Sequence, residues 1–112
     1  MTGGKCAAKP MQHEVFVNPS LRFRAAFPFI AVLQADVTEG RDRMVAPMAP
    51  FATYSGGPGR LSPIVQHAGT TFYLLLLQMG LLPRSRLTKP LGSIRQHRDD
   101  IVRAIDWLFT GI

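Results

Sequence analysis

Three histidines (His13, His67, His97), one cysteine (Cys6) and a few carboxylates are the side chains with which this chain could do metal or acid–base chemistry. Their spacing argues against it. No histidine has a second ligand at helical or hairpin distance, and Cys6 stands apart near the N-terminus, so no zinc-type ligand set assembles. Each histidine is expected to be an ordinary surface or half-buried residue. No two carboxylates share an apolar setting of the kind that raises one pKa for general acid work. Gly56-Gly57-Pro58-Gly59-Arg60 has the glycine density of a phosphate cradle. It lacks the Gly-Lys-Ser/Thr ending and precedes a strand rather than a helix, so a long flexible loop is the expectation. Trp107 could stack on a base, but an aromatic beside an apolar helical stripe more often serves packing or a subunit contact. The chemistry-bearing residues therefore imply no enzyme, no metal and no cofactor, and point instead to a protein that acts by binding.

Charge narrows the partners only a little. Thirteen basic against seven acidic residues give a net charge of +6, which suits an acidic partner or simply a solubilising surface. Arg22, Arg24, Arg41, Arg43, Arg60, Arg84, Arg86, Arg95, Arg98 and Arg103 are scattered, without a run or interleaved aromatics. That is a weak nucleic-acid signature.

The elements that must position these residues are short. Nine prolines and ten glycines in 112 residues favour strands and turns over a helical bundle, and one domain of this size, 46% apolar, can build a core without staples. Met1 to Pro10 is small and polar and is expected to be a flexible extension, with Met11 opening the domain. A strand follows from Gln12 to Val17, then a turn at Asn18-Pro19-Ser20. Phe27 to Gln34 is continuous in apolar residues, which predicts a strand buried on both faces. After a turn at Thr38-Glu39-Gly40, a strand resumes over Arg43 to Met48, and Pro47 within it predicts an edge or a bulge. Tyr54 to Gly59 is a loop. Leu61 to Gln66 and Thr71 to Met79 form a hairpin around His67-Ala68-Gly69, and a further strand is expected near Arg84 to Leu87.

The C-terminal helix carries the clearest periodicity. Ile101, Ile105 and Leu108 recur at i, i+4 and i+7, flanked by Val102 and Phe109. Ser93 and Gln96 have capping-box spacing, and Asp99 and Asp100 suit the positive end of the helix dipole. Asp99 is spaced to pair with Arg103, and Gly111 is a natural stop. The opposite stripe, Asp99, Arg103, Asp106 and Thr110, has the composition of a solvated face.

A single cysteine requires no oxidising compartment, Met1 to Pro10 has no apolar signal-peptide core, and the most apolar run, Phe72 to Leu82, is shorter than the about 20 residues of a membrane span. A cytoplasmic protein is the expectation.

Read together, several segments resemble the CcdB family, the toxins of bacterial toxin–antitoxin pairs. Met11-Gln12 is similar to the family's opening, and Pro28-Phe29-Ile30-Ala31-Val32-Leu33-Gln34-Ala35-Asp36-Val37 to its second strand with a Gln-x-Asp-aliphatic ending. Arg43-Met44-Val45-Ala46-Pro47-Met48 resembles the family's Arg-Met/Leu-Val-Ile-Pro-Leu segment. Leu61-Ser62-Pro63-Ile64-Val65, with Met79 and Pro83 at the expected distances, is a weaker match. The strongest runs from Arg98 to Ile112 and ends, as the family does, on Gly-Ile. The resemblance covers Met11 to Ile112.

It implies a strongly bent, SH3-like antiparallel sheet with one C-terminal helix, in a homodimer. It also implies a non-enzymatic activity, in which the dimer binds the DNA gyrase A subunit and traps the enzyme on cleaved DNA. An antitoxin would relieve that trap, and toxin and antitoxin together would repress their own operon, so operator DNA is a partner only of the complex. Carried over by position, the gyrase-contacting residues would be Asp106, Phe109, Thr110, Gly111 and Ile112, joined by Val37 and Thr38. This chain has Thr110 where the best-known family pattern has tryptophan, Asp106 where it has asparagine, and Val37-Thr38 for Ile-Ile. Loss of a large aromatic from an interface centre costs about 2 kcal/mol, roughly thirtyfold in affinity. Two alternatives follow: a relative that binds antitoxin without poisoning gyrase, and a ribonuclease toxin of similar fold.

Overall fold

The computed structural model describes residues 10–35, 40–56 and 59–111. Seven strands run in chain order: β1 (Glu14–Val17), β2 (Phe29–Val32), β3 (Asp42–Pro50), β4 (Ile64–His67), β5 (Thr70–Leu74), β6 (Gly80–Pro83) and β7 (Gly92–Ser93). One helix, α1 (Arg98–Thr110), follows. The strands form one antiparallel sheet in the order β4-β5-β3-β2-β1-β7, and β6 lies beside β3. The sheet curls into a nearly closed barrel. Its two end strands meet where His67 of β4 faces Gly92 of β7: a Cβ placed on Gly92 would stand 3.3 Å from the His67 ring. The fold is the mostly-β barrel with one C-terminal helix that the sequence implied.

The apolar pattern explains the layering. In β2, Ala31 turns to the core that receives the helix, while Ile30 and Val32 turn to a second cluster with Phe16, Val45 and Leu87. The strand is thus buried on both faces, as its unbroken apolar run requires. Val15 and Phe16 of β1 divide in the same way, so this strand also serves both cores. A third cluster gathers Ala49, Tyr73 and Leu75, with Phe27 and Tyr54 against it.

Several expectations need correction. Pro47 sits on the most central strand, not at an edge or bulge: β3 pairs with β2 along Phe29–Val32 on one side and, on the other, with β6 and then β5. Pro47 pairs with Ile30 in register, and its carbonyl accepts from the Leu75 amide at 2.9 Å. The side of β3 on which its missing N–H would point is therefore the gap between the two partners. There the chain leaves the ladder in a 3-10 turn, Leu76–Gln78, so no donor is needed. That same turn ends the expected Thr71–Met79 strand at Leu74. The chain re-enters the sheet as β6, over Gly80–Pro83, and the expected strand near Arg84 to Leu87 is a 3-10 turn over Arg84–Arg86 instead. The hairpin does form, and its turn is the two residues Ala68 and Gly69, with φ of 50° and 77°. Positive φ at both positions is the I′ geometry that matches strand twist.

The first turn is held by Asn18, whose Oδ1 accepts from the Ser20 amide while its Nδ2 donates to the Phe27 carbonyl. Of the expected N-terminal extension, only Pro10 lies among the described residues, and it is buried. Thr38 and Glu39 of the next expected turn lie outside them. Gly40 is described and has a φ of 129°, a conformation open to glycine. No helix among the described residues is long and apolar enough to cross a membrane.

Candidate functional site

The helix is set against the barrel by Ile101 and Ala104, buried among Val15, Met48, Val65, Leu74 and Ile94. Its start differs from the expected capping box. Arg95–His97 form a 3-10 turn first, and Ser93 Oγ accepts from the Arg95 amide at 3.0 Å. Ser93 therefore makes a local bond just before that turn, whose N-cap is Ile94, and His97 occupies the N-cap of α1. The His97 Nε2 accepts from the Gln66 amide at 2.9 Å, which ties the start of the helix to the outer strand β4. The expected Asp99–Arg103 pair is replaced by Arg103 with Asp100 at 3.0 Å and Arg98 with Asp99 at 3.6 Å. Both pairs are exposed, and such pairs contribute little.

Gly111 ends the helix as expected. Its φ of 71° is left-handed, and its amide donates to the Trp107 carbonyl. In the last two turns Ile105, Trp107 and Leu108 are half-buried and the other positions face outward. Asp106, Phe109, Thr110 and Gly111 are all exposed, Phe109 at 72%. Val102, which with Phe109 flanks the apolar stripe in sequence, also faces outward and stands one turn before Asp106 on this surface. The Thr110 hydroxyl bonds back to the Asp106 carbonyl, so that side chain is turned along its own helix. On the far flank of α1, the Arg60 guanidinium lies over the Trp107 ring at 3.9 Å, above a shallow cavity of about 300 Å³ that Arg103 and Ala104 also line. Trp107 is a packing residue, its ring covered by a cation.

Val37, Thr38 and Ile112, the other residues that the resemblance singles out, lie outside the described residues. The base of the connection that carries Val37 and Thr38 is described, and it contains two positioning residues that sequence reasoning missed. Gln34 Oε1 accepts from the Met44 amide at 2.7 Å, so its side chain adds one more rung to the β2–β3 ladder. Arg43 is only 3% exposed, and its Nη1 donates to the carbonyls of Gly40 and Asp42, both at 2.9 Å. In the sequence Arg43 is one of ten scattered arginines. Its alternation with the buried Val45 in an apolar strand was the available signal.

The histidines also need correction. His13 and His67 are buried, at 3% and 8% exposure, and only His97 is half-buried. The His67 ring meets Phe29 edge-on at 5.0 Å. Burial holds its pKa below the ordinary histidine range, because desolvation disfavours the imidazolium. Among the described residues no three His, Cys, Asp or Glu side chains gather where they could hold a metal.

The fold is thus a small barrel with one helix whose end is exposed. The chain matches the CcdB protein family over residues 12–111, and it belongs to that family. It is therefore a member of a family of toxins from toxin–antitoxin pairs. No curated protein matches the chain.

Proposed function

We propose that this protein poisons DNA gyrase, binding the A subunit through Asp106, Phe109, Thr110, Gly111 and Ile112 with Val37 and Thr38, and trapping the enzyme on cleaved DNA. It acts without catalysis, as a homodimer in the cytoplasm. A cognate antitoxin neutralises it, and the complex of the two represses their operon. The observation that carries this reading is the exposed Phe109 near the end of α1, with exposed Asp106 one turn before it and exposed Val102 two turns before it on the same flank. A large aromatic side chain left exposed on a helix end is the kind of anchor that a partner desolvates at a binding hot spot. Ile112 adds a second apolar residue to the proposed contact.

A second reading has its own observation. The Thr110 hydroxyl is spent on the Asp106 carbonyl, so the position where the best-known family pattern has tryptophan offers a partner neither an aromatic ring nor a free donor. That favours a relative that binds antitoxin without poisoning gyrase. A cleavage assay with purified gyrase and ATP separates the two, comparing the full chain with one lacking Gly111 and Ile112. Cleaved DNA from the full chain alone supports the poison and its terminal site. Cleavage from neither, with folded dimers, favours the second reading. Degradation of RNA by the purified protein would overturn both.

A further inference from the structure

Two of the ten arginines, far apart in the chain, meet a lysine at one place in the fold. Arg24 belongs to the loop after β1, while Arg86 and Lys89 follow β6. All three line one groove of about 290 Å³. Arg24 Nε donates to the Asn18 carbonyl at 2.8 Å, and Arg86 Nη2 donates to the next carbonyl along, that of Pro19, at 3.3 Å. The two guanidinium groups are thus anchored on adjacent carbonyls of one turn. Each arginine has five donors and spends one here, so most of both forks remains available. The Thr88 hydroxyl adds a neutral donor to the wall.

Two further features distinguish this groove from an ordinary solvated surface. Its floor includes Phe16, a member of the apolar cluster on the sheet face opposite the helix, and Leu91. An apolar floor lowers the local dielectric and strengthens the field of the cations above it. No acidic residue among the described ones lines the groove. Glu14 is taken by the Met11 amide at 2.7 Å, and Asp99 and Asp100 are paired with Arg98 and Arg103 on the helix. Within the groove itself the charged lining is therefore all positive.

We infer that this groove, built by Arg24, Arg86 and Lys89, is a contact site for the phosphate backbone of duplex DNA, which the toxin engages directly and without help from another protein. Arginine forks held on rigid backbone anchors suit phosphate oxygens, to which they donate in pairs. The one aromatic residue of the groove, Phe16, is buried, and the cations that line it suit phosphate oxygens, so the contact reads backbone charge and not sequence. The surface is distinct from the helix end proposed for gyrase, and each can fail without the other.

The test is fluorescence anisotropy of a short labelled DNA duplex of mixed sequence with the full chain, without gyrase. Three phosphate contacts predict a slope of about −2.7 in log affinity against log salt, a loss of about 40-fold between about 50 and 200 mM. The Arg24→Gln/Arg86→Gln/Lys89→Gln variant is expected to flatten that slope to near zero. A charge-matched control, Arg95→Gln/Arg98→Gln/Arg103→Gln, is expected to keep it. Because Arg24 and Arg86 also hold the Asn18-Pro19 turn, Arg24→Lys/Arg86→Lys serves as a folded, charge-preserving variant and should retain at least half of the slope. An equal loss in the control would overturn the inference, since net charge alone would then explain binding. So would salt-dependent binding of a polyglutamate peptide through the three residues with none of the duplex, because the groove would then serve an acidic protein.

Discussion

Replacing Phe109 by alanine separates the energetics of folding from those of binding. In the free protein Phe109 is 72% exposed, so it contributes little to the core, and its removal should shift unfolding by no more than about 0.5 kcal/mol. At a hot spot that becomes desolvated in the complex, the same truncation costs about 2 kcal/mol or more, which is roughly thirtyfold in affinity. Ile101 provides the opposite case one face away. It is buried among Val15, Met48 and Leu74, so Ile101→Ala should cost about 2 to 5 kcal/mol of stability while the folded fraction keeps its affinity. The assay pairs urea unfolding with calorimetric titration onto the gyrase A subunit. Affinity within threefold of the parent for a folded Phe109→Ala protein would refute the assignment of the helix end.

Three more perturbations probe the barrel. His67 is held neutral by burial, so its folded pKa lies below its unfolded value of about 6.5. The unfolded chain then binds the extra proton, and stability should fall as pH drops below about 6.5, down to the folded pKa. His67→Leu should remove that component, and identical pH profiles for parent and variant would rule it out. Gly92→Ala forces a Cβ onto a backbone at φ 152° and to 3.3 Å from the His67 ring; thermal unfolding should show a loss on the order of 1 to 3 kcal/mol. Arg43→Ala leaves the Gly40 and Asp42 carbonyls without their donor and should cost about 1.5 to 3 kcal/mol in denaturant unfolding. Loosening the connection that holds Val37 and Thr38 should also weaken gyrase binding in the folded fraction, and unchanged affinity would deny Arg43 its positioning role.

What was legible in the sequence was what local interactions decide. The helix over its last turns, the stop at Gly111, the Asn18 turn, the Ala68-Gly69 hairpin and the doubly buried β2 all follow from periodicity, turn chemistry or hydrogen bonds within a few residues. The outward stripe of Asp106 and Thr110 was also visible as a face, because a helix of known phase places it there. Its assignment to a partner came from resemblance, since a solvated stripe and a binding stripe have the same composition.

The tertiary structure alone decided what depends on residues far apart in the chain. Pro47 is tolerated on the central strand because β5 and β6 leave a gap opposite it, and nothing near Pro47 in sequence encodes that gap. His67 and His13 are buried because the barrel closes over them, with β4 and β7 meeting across the seam at Gly92. Arg43 is drawn inward by carbonyls at its own turn, although in the sequence it is one arginine among ten. Arg24, Arg86 and Lys89 become one groove only when the loop after β1 meets the segment after β6. Charge sums along a chain, but a field depends on where the charges stand in space, and folding sets those distances.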